Sequence, residues 1–231
     1  MALDVPDALA GLALAMLCLA ASEQGDSVWP GKAYQRVKDA GNMTDRLNAL
    51  GALVGCGHEL GAHALSRFHR LFRHEPLALD KWFALQARAP DRRGGALPTV
   101  RLLMKHPDFS LRNPNRARSL IFAYCHNNPA GFHRRDAAGY VFWAERVLEL
   151  DTLNPQVAAR LARAMDAWAR LAEPYRSAAR EAIARVAARP DLSNDVREVV
   201  TRALAGQAPA LAADAEARTT ETPDTQQKGS A

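Results

Sequence analysis

The stretch Asn113-Pro114-Asn115-Arg116-Ala117-Arg118-Ser119-Leu120-Ile121-Phe122-Ala123-Tyr124-Cys125-His126-Asn127-Asn128-Pro129 opens and closes on the same dipeptide. An asparagine side chain can accept from the first free N–H groups of a helix. A proline directly after it costs nothing in the first turn, where its N–H would have had no partner anyway. Ile121, Phe122 and Cys125 then recur at helical spacing, so the stretch predicts a helix over 114–126 and a new start at Asn128-Pro129. Asn154-Pro155 repeats the signal.

Working outward, apolar residues keep the same period almost throughout, and no period-two run stands between turn residues. The pattern predicts an all-α chain with helices over 6–22, 28–39, 43–55, 58–73, 77–88, 97–105, 114–126, 137–150, 155–172, 175–188 and 194–205. Short links between so many helices favour antiparallel pairs stacked in an α-solenoid-like array, although the links are too uneven for a named repeat. The expected organisation is a helical domain over 1–205 and a tail over 206–231. The tail sets Asp214, Glu216, Glu221 and Asp224 against Arg218 and Lys228, has no aromatic residue and almost nothing to bury, and is expected to be disordered.

Composition narrows the function. With 231 residues and 48% hydrophobic content the chain can bury a real core, as one elongated domain or two small ones. Its net charge of +5 comes mostly from arginines spread along helices rather than gathered on one face. Solvated faces account for that spread better than nucleic-acid binding through Arg112 to Arg118 and Arg160 to Arg170. Cys18, Cys56 and Cys125 are odd in number and lie among apolar or small residues, as expected of reduced core thiols in a cytoplasmic protein. The apolar run from Leu9 to Ala21 is preceded by Asp4 and Asp7 and by no Lys or Arg, so it reads as a buried helix and not as a secretory leader. No stretch is long and apolar enough for a membrane span.

His58-Glu59-Leu60-Gly61-Ala62-His63 invites comparison with the His-Glu-x-x-His zinc motif, whose ligands share a helix face at i and i+4. Here the second histidine stands at i+5, about 140° around a helix from the first. Recruiting His69, His74 or Glu75 would require breaking the helix at Gly61. The expectation is therefore exposed histidines near a helix start, with no metal, cofactor or catalytic site in this chain. Cys125 and His126 are adjacent in sequence, about 100° apart on a helix, and do not make a nucleophile and its base. There is also no Gly-x-Ser-x-Gly elbow and no phosphate-cradling glycine loop.

More specific are the strings Asp80-Lys81-Trp82-Phe83, His106-Pro107-Asp108-Phe109, 113–121, Asn128-Pro129-Ala130-Gly131-Phe132-His133, Gly139-Tyr140 and Leu153-Asn154-Pro155-Gln156-Val157-Ala158-Ala159-Arg160. In this order they resemble the C-terminal domain of bacterial aminopeptidase N (alanyl aminopeptidase), a gluzincin zinc metallopeptidase. The likeness extends more weakly over Leu9 to Leu204. It implies a helical domain that closes the active-site chamber of a larger enzyme whose zinc ligands, general-base glutamate and catalytic tyrosine lie upstream. Zinc would then belong to the complete enzyme, and this chain would begin inside the last domain, as a truncated or split product does. Around Arg134-Arg135-Asp136-Ala137-Ala138 the sequence departs from the family's usual Asp-Gly pair, so the resemblance does not fix that loop.

Carried over string by string, the resemblance places Arg118 toward the chamber and Gln156 and Arg160 along the C-terminal side of a bound peptide. Spacing agrees in part. Val157, Leu161, Met165 and Trp168 form an apolar stripe on the 155–172 helix, and Gln156, Arg160 and Arg163 fall on a neighbouring polar one. Arg118 shares the side of Ile121, Phe122 and Cys125, where a guanidinium needs a partner, so an internal salt bridge competes with a substrate contact. Trp82, Phe83, Phe122, Tyr124, Phe132, Tyr140, Phe142, Trp143 and Trp168 are expected in the core. The expected partners are the upstream catalytic domains and, in the complete enzyme, the peptide substrate. The alternative is a free-standing helical-repeat module that binds proteins or peptides.

Overall fold

A computed structural model describes residues 5–205, and the tail from 206 onward, with its expected disorder, lies outside them. Every regular element among the described residues is helical. The first unit, ending at Gly139, contains α1 (Val5–Glu23), α2 (Val28–Asp39), α3 (Met43–Cys56), α4 (Leu60–Phe72), α5 (Pro76–Ala87), α6 (Ala96–Leu103), α7 (Pro114–Ala117), α8 (Ala123–Asn127) and α9 (Pro129–Phe132). The second begins at Tyr140 and holds most of α10 (Ala138–Leu153), then α11 (Pro155–Ala162), α12 (Tyr175–Ala187) and α13 (Asn194–Ala205). Helices close in sequence pack together in the first unit, α1 with α3 across one intervening helix, α2 with α3 and α4 with α5; in the second, α13 lies against both α11 and α12.

The asparagine starts form as their chemistry dictates. Asn42 accepts from the Asp45 N–H at 2.8 Å, Asn113 from Asn115 and Arg116, Asn128 from Gly131, and Asn154 from Val157. Asn128 does more, because its buried amide nitrogen also donates to the carbonyls of Ala87 at 2.9 Å and Ala89 at 2.8 Å. One side chain thus begins α9 and ends α5, and its loss would strand two carbonyls away from water. In the second unit buried Asp151 plays a related part, accepting from the Ser193 N–H and hydroxyl just before α13.

The first core gathers Leu50, Leu53, Phe68, Phe83, Leu120, Ile121, Tyr124 and Phe132; the second gathers Trp143, Val147, Leu161, Met165, Trp168 and Ile183. Polar tips of the large rings are satisfied: Trp82 donates to the Leu65 carbonyl, Trp143 to Leu161, Trp168 to Ala203, and the Tyr124 hydroxyl to Gly131. Of the aromatics expected in the core, Phe122 alone is half-buried, its ring stacked on His126. All three cysteines are buried free thiols, and burial raises the Cys18 thiol to about 11 and Cys125 higher still.

Three expectations need correction. The 155–172 helix stops at Ala162 and continues as 3-10 turns over Arg163–Met165 and Trp168–Arg170. The apolar stripe survives this change, since Val157, Leu161, Met165 and Trp168 are all buried, and the tighter turns bring the Trp168 indole onto α13. The helix over 114–126 is not uniform, because α7 runs into a π-helical segment, Arg118–Phe122, before α8. Finally, α1 is buried on one face only. Leu14, Cys18 and Ala21 point inward, whereas Leu9, Leu12 and Met16 are 64%, 60% and 59% exposed.

The loop that departs from the family pattern is held by Asp136, which takes two bonds from Arg134 and one from the Ala138 N–H. The guanidinium holds the Asp136 carboxyl down at about 2. Between them Ala137 sits at φ 58°, a left-handed conformation that costs a side-chain-bearing residue about 1 kcal/mol and glycine almost nothing. Two residues on, a Cβ at Gly139 would come within 2.0 Å of the Phe132 carbonyl oxygen.

Thermal and denaturant unfolding should therefore separate two pairs of variants. Asn113→Ala should cost about 1 kcal/mol as the loss of an exposed cap, and Asn128→Ala about 3 kcal/mol as the loss of a cap plus two buried hydrogen bonds. Ala137→Gly should stabilise the chain by about 1 kcal/mol, and Gly139→Ala should destabilise it by more than that.

Candidate functional site

Arg118 opens the π-helical segment. There the Ala123 N–H reaches back five residues to the Arg118 carbonyl, and it also bonds that of Leu120. A π turn advances less than 100° per residue, so it shifts the phase of everything after it. Arg118 consequently does not share the buried side of Ile121 and Cys125: its side chain is exposed and donates to Asn115 Oδ1 at 3.0 Å. The buried arginine that needed and found a partner is Arg116. Its guanidinium meets Asp80 on α5 at 2.7 Å and lies over the Phe83 ring, 5.4 Å from its centre.

Arg118 instead borders a cleft of about 410 Å³ between α5 and the π-containing rod, which also receives Lys81, Arg88 and Asn127. The one carboxylate in its wall, Asp80, is already engaged by Arg116. The cleft therefore offers unspent positive charge and amide groups, a match for a carboxylate or for peptide carbonyls. Gln156 and Arg160 are both exposed on α11, one turn apart, and neither side chain has a hydrogen-bond partner among the described residues. Arg163 is exposed as well, at the first 3-10 turn.

The zinc-like string folds differently from a helical pair. His58 precedes α4; its Nδ1 accepts from the Leu60 N–H and its Nε2 lies 3.2 Å from the Ser27 hydroxyl. His63 is exposed on α4. His58 borders a pocket of about 460 Å³ with Glu23, Asp26, Glu59 and Arg92.

The cluster that sequence reading missed is His69, His106 and Asp108. His69 on α4 donates through Nε2 to Asp108 Oδ2 at 2.6 Å, and His106 Nδ1 lies 3.7 Å from the same oxygen. That bond from His69 holds the Asp108 carboxyl below its ordinary value, and burial, helped by His69, lowers the His106 imidazole. The string His106-Pro107-Asp108-Phe109 stood out in the sequence, but nothing in it signals a partner 39 residues earlier.

Comparison with known proteins bears on the fold and the family. Residues 7–205 match a family described as a domain of unknown function (DUF3458_C) with ARM repeats. Aminopeptidase N of Caulobacter vibrioides is 42% identical over 71% of this chain and 19% of its own length. That of Escherichia coli is 38% identical over 72% of this chain and again 19% of its own. The crystal structure of Legionella pneumophila aminopeptidase A in complex with aspartic acid superposes with a TM-score of 0.72 at 28% identity, covering 77% of this chain and 21% of that one. The class defined is an all-helical ARM-repeat domain. The chain belongs to the DUF3458_C family, the C-terminal helical domain of bacterial aminopeptidase N, and spans about a fifth of the length of the relatives it matches.

The two arginines of the string should part company on mutation. Arg116→Ala leaves Asp80 unpaired in a poorly hydrated site and should lower unfolding stability by about 3 kcal/mol. Arg118→Ala should stay within about 0.5 kcal/mol of wild type, as an exposed substitution does.

Proposed function

We propose that this chain acts as the accessory C-terminal domain of a zinc aminopeptidase N, closing the active-site chamber and helping to bind the C-terminal side of the peptide. In this reading the catalytic zinc and its ligands belong to upstream domains, and this chain has no peptidase activity alone. The observation that carries the reading is the family match over nearly all the described residues. The exposed strip of Leu9, Leu12 and Met16 on α1 supports it, since apolar surface of that kind is the mark of an interface lacking its partner.

Arg118, Gln156 and Arg160 would supply the recognition. A guanidinium or carboxamide exposed without an ionic partner keeps its donors for a ligand, and arginine grips a carboxylate with two parallel bonds. Such contacts matter only to substrates long enough to reach them. Three reduced, buried thiols suit a cytoplasmic enzyme. Among the described residues no helix is long and apolar enough to cross a membrane.

Mixing this chain with the separately produced upstream part of the source enzyme should give co-elution on gel filtration and altered peptide hydrolysis. In the reassembled enzyme Arg118→Ala or Arg160→Ala should raise KM for tetrapeptides by about tenfold, the equivalent of about 1.4 kcal/mol, and leave a single-residue chromogenic amide unchanged. Failure to co-elute together with unchanged hydrolysis would refute the reading. So would chelator-sensitive cleavage of an alanyl chromogenic substrate by the isolated chain.

A further inference from the structure

The cluster of His69, His106 and Asp108 has no part in the proposed peptide contacts, yet its chemistry is specific. Two imidazoles and one carboxylate make up a donor set that binds zinc and neighbouring divalent transition metals; magnesium and calcium prefer oxygen alone. The three donor atoms lie within 4.8 Å of one another, and theirs is the one such cluster among the described residues. Around a tetrahedral ion with bonds of about 2.0 Å, neighbouring donors stand about 3.3 Å apart. The separations from Asp108 Oδ2, 2.6 Å to His69 and 3.7 Å to His106, bracket that value.

The surroundings orient the rings. Trp82, anchored by its bond to the Leu65 carbonyl, lies 5.0 Å from the His69 ring and 5.3 Å from that of His106. Phe83 stands edge-on to His106 at 5.8 Å. With these rings packed against them, all three side chains remain part-exposed, which leaves a path for an ion. Arg116, whose charge reaches Asp108, is itself paired with Asp80.

We propose that His69, His106 and Asp108 form a binding site for one divalent transition-metal ion of the zinc class, clamping α4 to the loop after α6. The ion takes the place of the proton between His69 Nε2 and Asp108 Oδ2, and the His69 ring then carries its proton on Nδ1. It also competes with the Asp108 N–H, now 3.2 Å from His106 Nδ1, for that lone pair. Three protein donors leave a fourth position for water.

The test uses the whole 231-residue chain without an affinity tag, stripped with chelator and dialysed. Calorimetric titration with zinc chloride should show one ion per chain. Cobalt(II) should give the visible absorption of a low-coordinate nitrogen and oxygen site. His106→Gln and Asp108→Asn should each weaken binding by at least about tenfold, and His63→Gln, an exposed histidine on α4, should not. Zinc should raise the Tm of wild type but of neither ligand variant. If a variant fails to fold, cobalt broadening of the histidine ring resonances in wild type decides: it must centre on His69 and His106. No zinc binding, binding undiminished in both folded variants, or broadening centred on other histidines would each overturn the proposal.

Discussion

The ion pair between Arg116 and Asp80 is the contact on which the arrangement of the first unit turns. It ties the rod that starts at Asn113 to α5, with the guanidinium spread over the Phe83 ring and its charge met at 2.7 Å. Two charges withdrawn from water are tolerated only in such a pairing, and that requirement fixes which way α7 faces. Once Arg116 is turned inward, Arg118 is left to face solvent, and the π turn that follows resets the phase so that Leu120, Ile121 and Tyr124 are buried. A cationic cleft beside a well-packed core is the result. Its charge is available because the one carboxylate within reach is already spent.

Asparagine organises the chain at a finer scale. The Asn-Pro pairs start helices by local chemistry alone, but Asn128 also carries information across the fold, since its amide closes the end of α5 from 39 and 41 residues away. The loop over 134–139 shows local preference being overruled. Asp136 and Arg134 impose a left-handed turn on Ala137, and Gly139 is needed because the Phe132 carbonyl already occupies the space of a side chain.

The chain spans about a fifth of the length of the relatives it matches, and the proposed role rests on two of its surfaces. They are the open apolar face of α1 and the unpartnered polar side chains of α11. Neither resembles a catalytic centre. The histidine pair that looks most catalytic, His58 and His63, is spent on a helix start and an exposed face.

The sequence alone determined the helical class, the starts at Asn113, Asn128 and Asn154 and most of the inward-facing aromatics, because each rests on spacing or on contacts within a turn or two; the family was legible as a resemblance of several strings in order. Tertiary structure decided what depends on distant partners. Asp80 chose Arg116 over Arg118 as the buried cation; Trp168 found its acceptor on α13 only after the helix over 155–172 broke into tighter turns; one face of α1 stayed open; and His69 met His106 and Asp108. The physical reason is the same in each case. Periodicity reports which side of a helix is apolar, whereas the pairing of charges and ligands is settled by which side of another helix lies opposite.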